Sequence, residues 1–113
     1  MSTLHARLRA PRYNADVIPK LSEAEIAAGL AGLPAWTVEH GMLHRAYKFP
    51  DFAHAMGFMA TTAPLIERMN HHPEWANVYN RVTVHLSTHD SGGITKKDLE
   101  LAGVLEAIAT KLL

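Results

Sequence analysis

Histidine side chains are the groups of this sequence whose type and spacing could do chemistry. The chain has eight histidines in 113 residues, and His71 and His72 form an adjacent pair shortly after Glu67. Imidazole titrates near neutral pH and can therefore donate and accept protons under physiological conditions. His89 follows a segment that we expect to run back toward this pair. The residues Glu67, His71, His72 and His89 therefore predict an acid–base site.

The order of these residues suggests how the site would work. Glu67 and His71 are four residues apart, which places them on one face of a helix near its C-terminus. The negative end of the helix dipole and the Glu67 carboxylate would both favour a protonated imidazole at His71. Taken alone, the pair could also be a solvated or packed helix end, and His89 a loop residue. The spacing differs from common histidine zinc motifs, so no metal ligand is expected there.

Hydrophobic periodicity predicts the elements that position this group, in the order α-β-β-α-β-β-α. Predicted helices begin after Ser22, Asp51 and Thr95, where each residue can cap a helix N-terminus. The strands, paired by turns at His40-Gly41 and Asn80, are predicted at Trp36–Glu39, Met42–Phe49, Trp75–Tyr79 and Arg81–Thr88. The fold class is α+β: a four-stranded antiparallel sheet with three helices packed on one face.

The second predicted helix has two apolar stripes. They consist of Phe52, Ala55, Met56, Met59, Ala63 and Ile66, and of Phe58, Leu65 and Met69. One stripe should cover the sheet and the other should contact a second subunit, because large exposed apolar patches mark interfaces. Pro64 predicts a kink at residues 60–64, and Pro73 predicts that the helix ends at Asn70 or His71.

Length and composition allow a single domain, predicted at residues 21–113, preceded by an extended or mobile arm at residues 1–20. Net charge is zero, which argues against a domain-wide nucleic-acid surface, although basic residues are concentrated in the arm. The absence of cysteine fits a reducing compartment. No apolar run is long enough for a membrane helix or a secretory signal, so a cytoplasmic location is expected. The arm could alternatively be an organelle presequence.

One long pattern resembles a known family. It comprises Glu67-x-x-x-His71-His72-Pro73-Glu74-Trp75-x-Asn77-Val78-Tyr79-Asn80, Leu86-Ser87-Thr88-His89 and Asp98, together with Trp36, Lys48–Phe52 and Gly57–Met59. These residues resemble the pterin-4a-carbinolamine dehydratases, from Leu21 to the C-terminus. Asn70 and Lys97 depart from the pattern, since many relatives have Asp before the histidine pair and some have Arg at the second position.

The resemblance implies a reaction. It is the dehydration of 4a-hydroxytetrahydropterin (4a-hydroxytetrahydrobiopterin) to quinonoid dihydropterin, in tetrahydrobiopterin recycling for an aromatic amino acid hydroxylase such as phenylalanine hydroxylase. Catalysis would fall to His71, His72 and His89, with Glu67 supporting His71. The implied substrate-binding residues are Glu67, His71, His72, Pro73, Thr88, His89, Asp90, Ser91 and Trp36. From the residues alone, Trp36 and Trp75 are expected to be packing residues, although either could form the wall of a site for a flat aromatic ligand.

The resemblance also bears on partners. No cofactor and no metal is implied, and neither nucleic acid nor a membrane is an expected direct partner. A homodimer or homotetramer through the helix at residues 51–70 is expected, with the Pro64 kink able to change which one forms. Relatives also act as a dimerisation cofactor for a homeodomain transcription factor, so a binding module is the alternative function. A dehydratase-like protein serving another pterin reaction remains a third possibility.

Overall fold

The computed structural model describes residues 17–113, so the predicted arm lies almost entirely outside the described residues. Within this range the elements follow the predicted order. The helices are α1 (Glu23–Leu30), α2 (Phe52–Met69) and α3 (Lys96–Ala109). The strands are β1 (Thr37–Glu39), β2 (Met42–Lys48), β3 (Glu74–Val78) and β4 (Arg81–Leu86). Each predicted strand is present, with ends that differ by one or two residues.

The strands form one antiparallel sheet in the order β1-β2-β4-β3, which confirms the predicted architecture. In the first hairpin, His40 and Gly41 both have positive φ values, of 54° and 74°. Such turns match the twist of the strands they join. In the second hairpin Tyr79 has the positive φ, of 53°. Asn80 links this turn to the residue after β2, because its Nδ2 donates to the Phe49 carbonyl at 2.9 Å.

The core lies between one face of the sheet and the helices. Val82, Val84 and Leu86 alternate along β4 and are fully buried, as the sequence predicts. Leu99 of α3 packs against Gly29 of α1, where a Cβ atom would lie 2.3 Å from the leucine Cδ1. The helices therefore cover the same face of the sheet. Among residues 17–113, no helix combines the length and apolar character needed to cross a membrane.

The faces of α2 differ from the predicted stripes. Its buried residues are Ala55, Phe58, Thr62 and Ile66. Phe52 and Met56 are 48% and 39% exposed, so their assignment to the same face as Ala55 and Ile66 was wrong. Thr62 can be buried because its hydroxyl donates to the Phe58 carbonyl at 2.8 Å inside the helix. Helical structure continues through Pro64, and the kink there stays a prediction.

A polar cluster at Glu106 ties α3 to the sheet. Glu106 Oε1 accepts hydrogen bonds from Tyr47 Oη at 2.8 Å, Trp36 Nε1 at 2.9 Å and Arg45 Nε at 3.3 Å. Burial raises the pKa of Glu106, but these hydrogen bonds outweigh it and hold the pKa below its ordinary value. Burial and the same carboxylate raise the pKa of Tyr47. The folded state therefore favours the ionised form of Glu106.

Replacement of Glu106 by leucine should destabilise the protein by about 2–4 kcal/mol at pH 7, because three donors lose their acceptor. A carboxyl group whose pKa is lowered by folding stabilises the folded state at pH values above its pKa in the unfolded chain, which is about 4.3 for Glu. This stabilisation is lost as the pH falls through the pKa of the group in the folded state. The difference between wild type and Glu106→Leu should therefore narrow below about pH 4. Urea unfolding at several pH values measures both effects.

The matched control is Glu100→Leu, because Glu100 is an exposed carboxylate on the same helix. Its effect on the free energy of unfolding should stay within about 0.5 kcal/mol. Equal stabilities of Glu106→Leu and Glu100→Leu at pH 7 would show that the cluster does not stabilise the fold.

Candidate functional site

The link between α2 and β3 separates the two neighbouring histidines. Asn70 caps α2 in the left-handed conformation, with φ 50° and ψ 43°, and its N–H donates to the Glu67 carbonyl at 3.1 Å. Asparagine tolerates this conformation better than most residues do. The chain reverses here, so the His71 side chain is 11% exposed and the His72 side chain is 57% exposed.

The buried histidine pairs with a residue far along the chain. His71 Nε2 lies 2.5 Å from Oδ1 of Asp98, whose side chain is fully buried. Glu67 instead contacts His72, with 2.7 Å between Oε1 and Nε2. The prediction that Glu67 supports His71 was therefore wrong. The physical reason is Asn70: the left-handed cap ends the helical geometry that would have placed residues 67 and 71 on one face.

Asp98 connects three parts of the fold. As the third residue of α3 it closes a capping box, and its Oδ2 accepts the Thr95 N–H at 2.8 Å. The same oxygen accepts the hydroxyl of Thr88 at 2.9 Å. Its other oxygen holds His71. The sequence predicts a helix start after Thr95, but no local pattern could reveal the contact of Asp98 with a histidine 27 positions away.

The loop that contains His89 is fixed at both ends. Thr88 pairs with Gly93, and His89–Ser91 form one turn of 3₁₀ helix that ends at Gly92, with φ 72°. Ser91 Oγ donates to the backbone carbonyl of Ile18. The segment that precedes α1 thus contacts the same loop. These contacts, together with the Thr88–Asp98 bond, position His89 relative to His71.

The three predicted catalytic histidines line one cleft of about 320 Å³. Its lining residues are Asn70, His71, His72, Ser87, Thr88, His89, Asp90 and Lys97. Clefts of this size accommodate small organic ligands. His71 and His72 have their Nε2 atoms against carboxylates, which leaves Nδ1 of each ring for another partner. The arrangement can place imidazoles from two separate segments around a small polar ligand.

The remaining predicted binding residues lie elsewhere. Glu67 and Pro73 line a neighbouring, more apolar cleft of about 500 Å³, which also contacts His72. The Ser91 hydroxyl donates a hydrogen bond to the backbone carbonyl of Ile18 and does not line the histidine cleft. Trp36 does not line the histidine cleft: it is 3% exposed and bonded to Glu106. The prediction that Trp36 contacts the substrate therefore finds no support in the structure, because its indole N–H satisfies the Glu106 cluster instead.

Three residues of the cleft were not predicted as site residues. Asn70, Ser87 and Lys97 line it, although the sequence singles out Asn70 and Lys97 only as departures from a family pattern and Ser87 only as part of that pattern. Asp98 does not line the cleft, but it contacts His71, which does. Their roles depend on contacts between the end of α2 and the start of α3, which a helix-by-helix interpretation does not describe.

Comparisons with known proteins identify the family to which this chain belongs. The family model of pterin 4 alpha carbinolamine dehydratase matches residues 19–108. A protein of Solibacter usitatus (strain Ellin6076), provisionally named pterin-4-alpha-carbinolamine dehydratase, is 61% identical over 90 residues, which are 80% of this chain and 95% of that protein. A protein of Opitutus terrae (strain DSM 11246 / JCM 15787 / PB90-1) has the same provisional name. It is 50% identical over 90 residues, which are 79% of this chain and 93% of that protein.

A solved structure extends the comparison to three dimensions. The crystal structure of a transcriptional coactivator/pterin dehydratase from Brucella melitensis superposes with a TM-score of 0.77 and 42% identity, over 80% of this chain and 98% of that one. Fold and site thus define a small α+β protein of the dehydratase class. This chain belongs to the pterin 4α-carbinolamine dehydratase family.

Proposed function

We propose that this protein dehydrates 4a-hydroxytetrahydropterin, in the form of 4a-hydroxytetrahydrobiopterin, to quinonoid dihydropterin and water. The observation that supports this most strongly is the presence of His71, His72 and His89 around one cleft in a member of this family. An adaptor would not need three imidazoles there. The reaction would use the chain's own imidazole side chains as acids and bases.

The reaction requires two proton movements. The bond between C4a and its hydroxyl oxygen breaks, and that oxygen takes up a proton and leaves as water. The proton on N5 departs, and its electron pair forms the C4a–N5 double bond. Imidazole suits both movements at neutral pH.

The geometry suggests a separate role for each of the three histidines. His71 is held at Nε2 by the buried Asp98 carboxylate, which leaves Nδ1 as the nitrogen that could donate a proton to the departing hydroxyl. His89 reaches the cleft from the 3₁₀ turn and would act as an acid from the other side. His72 is more exposed and is the candidate for orienting the pterin or accepting the N5 proton.

The proposed reaction determines its metabolic setting. A hydroxylase that leaves the pterin hydroxylated at C4a must supply the substrate, and recycling of the product would serve an aromatic amino acid hydroxylase such as phenylalanine hydroxylase. We further propose a homodimer or homotetramer through the helix at residues 51–70, because Phe52 and Met56 are large, apolar and exposed there. A monomeric mass in light scattering would contradict the assembly.

A binding module remains the second candidate function. The Brucella melitensis structure is described as a transcriptional coactivator as well as a pterin dehydratase, and the exposed apolar residues of α2 could contact such a partner. The two functions are separable, because the histidine cleft lies at the C-terminal end of α2 whereas Phe52 and Met56 lie near its start.

A dehydration assay tests the enzymatic proposal. Freshly generated 4a-hydroxytetrahydrobiopterin is mixed with protein in a stopped-flow instrument, and formation of the quinonoid product is followed by absorbance. We expect a saturable rate well above the spontaneous one, with acid–base assistance of roughly 10²–10⁴-fold from each participating group. A rate that does not change with protein concentration would leave the binding module as the better account.

A further inference from the structure

A second histidine cluster lies on the face of the sheet away from the helices. His44 of β2 and His85 of β4 are direct cross-strand partners. Their neighbours in sequence, Leu43 and Val84, are buried in the core, so the two histidines point to the opposite face. The ring centroids are 4.6 Å apart with 32° between the planes. Glu39 of β1 completes the cluster from the adjacent strand.

The carboxylate of Glu39 contacts both rings. Its Oε1 is 3.1 Å from His85 Nε2, and its Oε2 is 3.6 Å from His44 Nε2. One donor atom from each of the three residues lies within 4.8 Å of the others. Ligands at about 2.0–2.2 Å around a tetrahedral zinc ion are roughly 3.3 Å apart, so small side-chain adjustments would satisfy that geometry.

The ring nitrogens of this cluster that face Glu39 are the two Nε2 atoms, and these are the candidate ligand atoms. His44 Nδ1 is buried and has no hydrogen-bond partner among the described residues, but an ion bound at Nε2 would not contact it, so the candidate site consists of the Nε2 atoms and the carboxylate alone. The histidine side chains are 19% and 22% exposed and Glu39 is 44% exposed, so the rings are held in place while solvent can enter beside the carboxylate.

We propose that Glu39, His44 and His85 bind a divalent transition-metal ion, with zinc as the expected ion. Two imidazoles and one carboxylate form a ligand set that zinc accepts, whereas calcium and magnesium prefer oxygen ligands throughout. The fourth position would be held by water or by His40, whose exposed Nε2 is 3.8 Å from Glu39 Oε1.

This site is independent of the proposed dehydratase reaction. The resemblance implies no metal in the protein, so a zinc ion here would go beyond that expectation; its ligands are not among the residues that line the cleft of His71, His72 and His89. A zinc ion at the open face would instead link β1, β2 and β4. Since an ion that binds only the folded state shifts the unfolding equilibrium, zinc should also raise the melting temperature.

Zinc titration of the full chain tests the proposal. Affinity for ZnCl₂ is measured at pH 7.5 by competition with a chromogenic chelator, for wild type, His44→Gln and His85→Gln. We expect one saturable site, and at least a tenfold loss of affinity in each variant. The matched control is His54→Gln, because His54 contacts a different carboxylate, Asp51, at 2.6 Å, and its affinity should stay within twofold of wild type.

Two further measurements keep the outcome decisive. Thermal unfolding without metal establishes that each variant folds, and anomalous diffraction at the zinc edge should give a peak between Glu39, His44 and His85. The proposal is overturned by absence of saturable binding, by equal affinity in His44→Gln and wild type, or by loss of binding in His71→Gln alone. Dehydration by His44→Gln should remain within twofold of wild type, so failure of this site and failure of the proposed reaction are distinguishable.

Discussion

His71→Ala should lower the turnover of 4a-hydroxytetrahydrobiopterin by about 10²–10⁴-fold while the protein stays folded. The imidazole of His71 is the most enclosed of the three cleft histidines, and a fully buried carboxylate orients it. Its removal deletes one of the two proposed proton donors to the leaving oxygen. His89→Ala should have an effect of the same order, because it removes the donor on the other side.

The measurement is kcat for dehydration of freshly generated substrate, alongside the free energy of unfolding. His54→Ala is a suitable control, since His54 is a histidine paired with a carboxylate far from the cleft on α2. Its kcat should match that of wild type. Wild-type turnover in both His71→Ala and His89→Ala would refute acid catalysis by the cleft histidines.

Asp98→Asn should reduce kcat by roughly 10²-fold or more, although Asp98 never touches the substrate in this account. The carboxylate fixes the orientation of the His71 ring and which of its nitrogens faces the cleft. An amide of the same size loses both effects. Asp98 also bonds Thr88, so the substitution loosens the loop that contains His89. We expect an accompanying loss of stability of about 1–3 kcal/mol, because a buried acceptor is replaced.

The matched comparison is Glu67→Gln. Glu67 makes the equivalent contact with His72, but the two side chains are 78% and 57% exposed, and exposed ion pairs contribute little. Its effect on kcat should be several-fold at most. A positioning role for Asp98 also predicts that the pH profile of kcat changes in Asp98→Asn. If the pH profile of kcat is unchanged and only the stability is lower, Asp98 acts only as a helix cap.

The elements of this fold are predictable from the sequence because local rules specify them. Alternation of Val82, Val84 and Leu86 identifies a half-buried strand, and Ser22 and Thr95 mark helix starts that the structure confirms. The His40-Gly41 turn follows from the conformations that these residues tolerate. The order of elements, with short turns, then leads to an antiparallel sheet.

The contacts that build the site are less predictable because they are long-range. One left-handed residue, Asn70, decides that His71 faces Asp98 and that Glu67 faces His72. A helical spacing rule assigns Glu67 to the wrong histidine, because it assumes that the helix continues. Thr62 is buried and Phe52 is exposed on α2 for a similar reason: packing partners, and not residue polarity alone, select the inner face.

The most direct test of the central claim is a crystal structure of the protein with 7,8-dihydrobiopterin, a stable pterin that cannot undergo dehydration. The account predicts a pterin ring in the cleft of about 320 Å³, with the edge that contains C4a and N5 within hydrogen-bond distance of His71 and with His89 on its far side. A pterin bound in the neighbouring cleft at Pro64 and Trp75, out of reach of His71 and His89, would contradict it.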